Sequence, residues 1–149
     1  LLLGNTLGNF EINELLYTIR SSMKDGDFVL IGNGLDNRHT DDIIKSYNSP
    51  EMNSFLMHIP KQLGLLENDV KFGVRFQNSR VELYYTIVSD KQIKFQNKSV
   101  HFHRGDQIIV AISYKYDKHD FMAFMKMYFD DIRMYVSPEQ SYALALCKK

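Results

Sequence analysis

Two glycines near the start of the chain flank a short loop whose residue types suit a ligand. The sequence begins LLLGNTLGNF, so Gly4 and Gly8 stand four residues apart and Asn9 follows directly. Leu1–Leu3 are typical of the end of a buried strand, and a helical pattern begins soon after the loop. A helix N-terminus behind a strand offers unpaired N–H groups and a favourable dipole, which suit a carboxylate. The spacing of the glycines matches neither the dinucleotide fingerprint nor a P-loop. A tight turn that binds no ligand therefore explains it as well.

Other residues with chemical potential give weaker patterns. His101 and His103 alternate along a predicted strand and share a face, but a third metal ligand is not evident, so a polar outer face is the stronger interpretation. Ser113 has no GxSxG context, and neither it nor Tyr47 is paired with a base by spacing. We therefore predict no catalytic nucleophile, no general base and no metal site.

The elements that position the glycine loop form a βαβ unit. Asn9 is a candidate helix N-cap, with Glu11 in the first turn and apolar residues at helical spacing as far as Met23. The unbroken apolar run Phe28–Gly32 is typical of a strand buried on both faces. A strand, a helix and a second strand in this order predict that the two strands are parallel.

The rest of the chain predicts a middle module between α/β segments. A short helix over 41–47 and another from Pro50, ended or kinked by Pro60, precede a change to period two after Gly64. A helix bearing Phe121 then leads to two final strands, DIRMYVS and SYALALC. The predicted division assigns residues 1–42 and 117–149 to one domain and residues 43–116 to a module inserted in it.

Composition restricts the class of protein. The 149 residues carry 18 basic and 18 acidic side chains. This balance argues against electrostatic binding of nucleic acid over a large positive surface. The single Cys147 excludes an internal disulfide and a cysteine-based zinc site, and it suits a reducing compartment. Apolar runs are far shorter than the roughly 20 residues of a membrane span. We expect a cytoplasmic protein with no nucleic-acid or membrane partner, or a piece of one.

The order of several segments resembles a known family. The segments LGNTLGNF, GDFVLIG, SYNS, RVELYY and GDQIIVAISYKY run as they do in the histidine Nα-methyltransferases of ergothioneine biosynthesis and their relatives. The resemblance extends over the whole chain but matches only the C-terminal half of such an enzyme. It implies S-adenosylmethionine as the cofactor. The glycine-rich loop of the enzyme that binds this cofactor would come before Leu1. We therefore expect a fragment that lacks the cofactor half and is inactive alone.

The resemblance also implies an α/β fold, the C-terminal half of a Rossmann-like class I methyltransferase. Leu1–Leu3 would be strand four and Phe28–Gly32 strand five, with the last two strands six and seven. The implied sheet is mixed, with strands in the order 4-5-7-6. Residues 43–116 would be the inserted α+β substrate module.

Site residues follow by matching positions. In the family, an asparagine after strand four and a tyrosine of the module hold the amino-acid carboxylate, and these match Asn9 and Tyr47. Gly4 lets a ligand approach the same loop. A Glu and a Ser that read the imidazole ring match Ala111 and Ser113, so the acceptor of the ring N–H is missing. An unpaired buried ring nitrogen costs about 1–3 kcal/mol, which argues against histidine as the methyl acceptor.

These features predict part of an S-adenosylmethionine-dependent N-methyltransferase that acts on a small amino-acid-like acceptor. A non-catalytic relative that retains a small-molecule pocket, and an inactive fragment, are the alternatives. The apolar edge Leu1–Leu3 would lack its neighbouring strand, so we also expect a homodimer through this edge and the first helix.

Overall fold

The computed structural model describes the backbone of residues 1–149 and every side chain except that of Phe95. The α-helices are α1 (Ile12–Ser22), α2 (Thr40–Tyr47), α3 (Pro50–Leu56), α4 (His58–Gln62) and α5 (Lys118–Tyr128). The strands are β1 (Phe28–Gly34), β2 (Val70–Gln77), β3 (Arg80–Ile87), β4 (Lys91–Phe95), β5 (Lys98–Phe102), β6 (Gln107–Tyr114), β7 (Asp131–Val136) and β8 (Tyr142–Lys148). Two compact units result: Leu1–Arg38 with Ser113–Lys149, and His39–Ile112.

The sheet of the first unit has the predicted order. β8 lies between β1 and β7 and is antiparallel to both. On the other side of β1, Leu2 pairs in parallel with Ile31, through bonds from Leu2 N to Leu30 O (2.9 Å) and from Gly32 N to Leu2 O (2.7 Å). The segment around Leu2, β1, β8 and β7 correspond to strands four, five, seven and six. This order confirms the parallel first pair and the mixed sheet.

Helices α1 and α5 supply most of the side chains that cover this sheet. Leu16, Phe121 and Met125 are fully buried between the helices and the strands. Cys147 is also fully buried, on the central strand β8, and burial raises the pKa of its thiol to about 12. The predicted apolar face of the last helix is confirmed by Phe121 and Met125.

Asn9 does not cap α1, so this prediction is wrong. Thr6–Asn9 form a short 3-10 helix, and α1 begins only at Ile12. Glu11 is the N-cap, and its carboxylate accepts a hydrogen bond from Glu14 N at 3.0 Å. The 3-10 turn uses the residues that would otherwise start the helix, and Glu11 is the first residue beyond it with a side chain that can accept this bond.

The second unit has its own core. β3 lies between β2 and β6, and β4 pairs with β5 in a separate two-stranded sheet. The last two residues of β6, Ser113 and Tyr114, belong to the first unit. The buried residues of the second core are Ile43, Leu56, Met57, Leu65, Val70, Val81, Leu83, Tyr85 and Ile87.

Local signals explain the helices of the second unit. Ser49 caps α3 by accepting a hydrogen bond from Met52 N (3.2 Å), and Pro50 occupies the first turn as predicted. The helical path breaks at Met57, between α3 and α4. Pro60 accounts for this break, because it has no N–H to donate to the carbonyl four residues earlier.

The β2–β3 pair contains the buried carboxylate of Glu82. Glu82 is fully buried, and it accepts hydrogen bonds from Arg75 (2.7 Å), Gln77 (2.9 Å) and Arg80 (2.8 Å). Burial opposes its ionisation, but the three donors outweigh this effect, so the pKa of Glu82 lies below its ordinary value. The side chains that cover the carboxylate are thus the ones that keep it charged.

Candidate functional site

The loop between Leu3 and α1 keeps part of its backbone accessible. Gly4 is exposed and has a φ of +73°, a conformation that favours glycine. A Cβ added there would meet no atom within 4 Å, so the space beside it is open. The Gly4 N–H donates to the Tyr142 hydroxyl at 3.2 Å, which ties the loop to β8.

Gly8 brings this loop against the end of β6. It is buried, and a Cβ at this position would lie 2.8 Å from the Tyr114 carbonyl oxygen. Such a distance is too short for a side chain, so only glycine permits the backbones to approach this closely. Asn9 and Ser113 are the chain neighbours of these two residues, so both lie within one residue of the contact.

Both neighbours carry polar groups. Asn9 is exposed, and its amide forms no hydrogen bond with any described residue. Ser113 Oγ accepts a hydrogen bond from Lys115 Nζ at 2.9 Å. The positive charge of Lys115 also acts on Asp36: hydrogen bonds from Arg38 lower the pKa of that carboxyl, and Lys115 adds to the lowering. An amide, a hydroxyl and an ammonium together suit an anionic group such as a carboxylate.

Asn5 is a structural residue of this loop that sequence reasoning missed. Its Oδ1 accepts a hydrogen bond from Gly34 N, at 2.6 Å, at the carboxyl end of β1. A Cβ at Gly34 would lie 2.6 Å from the same oxygen, so this bond requires glycine. The spacing of the glycines did not reveal the pairing, because Asn5 and Gly34 are 29 residues apart.

Two buried oxygen atoms near this end of the unit have no partner. Asn33 is 3% exposed and Tyr116 is 2% exposed. Asn33 Nδ2 donates to Gly34 O at 2.8 Å, but neither Asn33 Oδ1 nor the Tyr116 hydroxyl bonds to any described residue. Burial raises the pKa of Tyr116, so the hydroxyl stays protonated at neutral pH.

The two other predicted site residues belong to the second unit. Tyr47 is the last residue of α2 and packs, half-buried, against the second core. Ala111 lies on β6 and packs against the same core. The binding roles assigned to Asn9, Gly4, Tyr47, Ser113 and Ala111 stay predictions.

Of the two histidines predicted to share a strand face, only His101 lies on a strand. β5 ends at Phe102, so His103 lies just outside the strand, where its Nδ1 is 3.8 Å from Asp90 Oδ2. Over the residues that the structure describes, no three His, Cys, Asp or Glu side chains are grouped to hold a metal ion. None of the described helices is both long enough and apolar enough to cross a membrane.

Comparison with known proteins identifies a family and similar solved structures. No curated protein matches the sequence. An S-adenosylmethionine-dependent methyltransferase from Clostridium acetobutylicum ATCC 824 is similar in structure at 10% sequence identity, with a TM-score of 0.46. The match covers 98% of this chain and 55% of the other, so the chain spans about half the length of that protein. The model of the histidine-specific, SAM-dependent methyltransferases matches residues 1–149, and the chain therefore belongs to this family.

Proposed function

We propose that the chain is the acceptor-binding part of an S-adenosylmethionine-dependent N-methyltransferase that acts on a small amino-acid-like molecule. Family membership supports methyl transfer as the reaction. The observation that supports the site is the close approach of Gly8 to Tyr114 O, the chain neighbours of Asn9 and Ser113. The amide, hydroxyl and ammonium groups of Asn9, Ser113 and Lys115 are of the types that bind the carboxylate of an amino acid.

The residues present fit a carboxylate-bearing ligand. The exposed Asn9 amide can donate to one carboxylate oxygen, and the open space beside Gly4 lets the ligand reach the loop backbone. Lys115 places a positive charge 2.9 Å from Ser113 Oγ, which favours an anion at the same end. Both an amino-acid acceptor and the cofactor carry such a group. We propose that Asn9, Gly4 and Ser113 hold the acceptor. A binding role for Tyr47 stays a prediction from the family resemblance.

The bound cofactor would supply the methyl group from a sulfonium centre. The task of the residues is then to orient an unprotonated amine for an in-line displacement, because positioning gives most of the rate in such a reaction. Asn9 would fix the carboxylate end of the acceptor and thereby restrict the direction of its amine. No side chain is assigned as a general base.

The acceptor is proposed to differ from histidine. Ala111 has only a methyl group at the position that matches the family's ring-binding glutamate, so a ring N–H would lose its partner there. The contacts to the cofactor's ribose and methionine are proposed to come mainly from strands one to three of the complete fold. The 149-residue chain should then not bind the cofactor by itself, and calorimetry can check this.

The test is a methylation assay with the full-length protein. The protein is mixed with S-adenosylmethionine and single amino acids, and mass spectrometry detects S-adenosylhomocysteine and a methylated product. Asn9→Ala should raise the KM for the accepted amino acid about tenfold or more, since a hydrogen bond to a charged group contributes about 1.5–3 kcal/mol.

Asn68→Ala is the matched control, because Asn68 is also exposed but lies in the second unit, outside the proposed site. An unchanged KM in Asn9→Ala would refute the site. Binding of an amino acid without any product would instead favour the non-catalytic alternative.

A further inference from the structure

The second unit contains a cavity that the proposed function does not use. It has a volume of about 260 Å³ and lies among α3, the 3-10 turn before β2, and strands β2 and β3. None of the residues assigned to the acceptor lines it. The lining residues are Pro50, Asn53, Ser54, Met57, Glu67, Val70, Phe72 and Tyr85.

Apolar and aromatic side chains form the floor of this cavity. Met57, Val70 and Tyr85 are buried, with Tyr85 only 1% exposed. The rings of Phe72 and Tyr85 have centroids 5.4 Å apart and are tilted by 53°. Such a floor excludes water from one side of a ligand and presents π-electron density to a cation or to its alkyl groups.

The rim offers hydrogen-bond acceptors. The Tyr85 hydroxyl lies 2.9 Å from the backbone oxygen of Asn53 and 2.8 Å from its side-chain Oδ1. Because a hydroxyl has one hydrogen, it can donate to only one of them. The Asn53 amide oxygen has two lone pairs and the hydroxyl occupies at most one, so Oδ1 retains an acceptor position. Ser54 adds a hydroxyl to the same rim.

Glu67 gives the rim its charge. Its Oε1 accepts a hydrogen bond from Lys61 Nζ at 2.7 Å, and this bond lowers the pKa of the carboxyl, so Glu67 is ionised at neutral pH. Lys61 does not line the cavity, and neither does any other lysine or arginine among the described residues. Lys61 contacts only Oε1 of this carboxylate, and Glu67 Oε2 bonds to no described residue, so Oε2 is the atom that remains as an acceptor for a ligand.

We propose that this cavity binds a small organic ammonium ion, either a primary amine or a methylated amine. Glu67 Oε2 and the Asn53 amide oxygen accept hydrogen bonds from the ammonium, and the rings of Phe72 and Tyr85 contact the alkyl part. At about 260 Å³ the cavity is near the lower end of ligand pockets, which limits the ligand to a compact molecule. The proposal does not depend on the methyltransferase activity.

The experiment is a titration of the 149-residue chain with n-butylammonium chloride, followed by NMR at constant ionic strength. The Asn53 side-chain amide and the Met57 methyl signals should shift saturably in the millimolar range. Butan-1-ol has the same alkyl part without the charge, and it should bind about fivefold more weakly or worse. Equal binding of the alcohol would overturn the assignment to an ammonium ion.

Two variants complete the test. Glu67→Gln should weaken butylammonium binding about fivefold and leave butan-1-ol binding unchanged. Glu51→Gln is the matched control, since Glu51 is an exposed carboxylate on α3 that does not line the cavity. The proposal is refuted if Glu67→Gln binds butylammonium as the parent does, or if no signal of a cavity residue shifts.

Discussion

Replacement of Gly8 by alanine tests the contact that organises the proposed site. The new Cβ would lie 2.8 Å from Tyr114 O, whereas ordinary van der Waals contact begins at 3.4 Å, so the two backbones must separate by at least about 0.6 Å. Overpacking of this kind costs about 1–3 kcal/mol. Gly8 does not have a positive φ, so alanine can adopt its backbone conformation. Because alanine lowers the conformational entropy of the unfolded chain, the substitution also adds about 0.4–1 kcal/mol to the free energy of unfolding. The expected net loss of unfolding free energy is about 1–2 kcal/mol.

Urea denaturation followed by circular dichroism measures this loss, and the matched control is Gly73→Ala. A Cβ at Gly73 would lie 2.6 Å from the Tyr84 ring, which is as close a contact, but the ring belongs to a side chain that can rotate. We expect the control to lose less than about 1 kcal/mol. Gly8→Ala should also weaken acceptor binding, because Asn9 and Ser113 move apart. A Gly8→Ala variant with parental stability and parental KM would show that the close approach does not position the site.

Three further predictions concern burial, charge and association. Tyr116→Phe removes a buried hydroxyl with no described partner and should raise the unfolding free energy by about 1 kcal/mol, as thermal denaturation can show. The pKa of Glu82 is lower in the folded protein than its ordinary value of 4.5, so the ionised carboxylate stabilises the fold. This stabilisation is fully present above pH 4.5 and is lost as the pH falls through the lower pKa of the folded state. Glu82→Gln should therefore cost about 1–3 kcal/mol at neutral pH and flatten the pH dependence of stability below 4.5, which a wild-type profile in the variant would contradict. We propose a homodimer through the Leu1–Leu3 edge, where Leu3 is 48% exposed. Light scattering should show a monomer for Leu3→Lys and a dimer for the control Leu66→Lys, and a monomeric parent would refute the proposal.

The strand order followed from the family resemblance, whereas single strands and helix starts followed from local patterns in the sequence. The apolar run Phe28–Gly32 indicated a strand buried on both faces, and the structure has β1 between Leu2 and β8. Pro50 likewise indicated the start of α3. Each of these signals lies within a few residues of the element that it determines.

The errors arose where distant residues or competing local choices decide the structure. Asn9 and Glu11 are both plausible caps, and the 3-10 turn before them decides in favour of Glu11. Strand β2 was not predicted as a separate strand, although Lys71, Gly73 and Arg75 alternate with apolar residues as in a half-buried strand. Their role became clear only in the pairing with β3, where Arg75 lies opposite Glu82.

The site was predictable only in part for a related reason. The loop with Gly4 and Asn9 was visible as a motif, and Ser113 followed from the family resemblance. Lys115 was not identified, because a single lysine in a strand-like segment carries no signal without the serine oxygen beside it. The bond from Gly34 N to Asn5 likewise joins residues from separate elements.

The burial of Cys147 gives the protein a built-in reporter of local opening. The thiol lies on the middle strand of the first unit, is fully buried and has a pKa of about 12, so in the closed state it should not react with an alkylating reagent. It becomes reactive only when β8 is exposed, and the second unit contains no cysteine. The rate of thiol labelling in native buffer therefore measures the opening of the first unit alone. Comparison of this rate with and without an acceptor would show whether ligand binding stabilises the unit that contains Asn9 and Ser113.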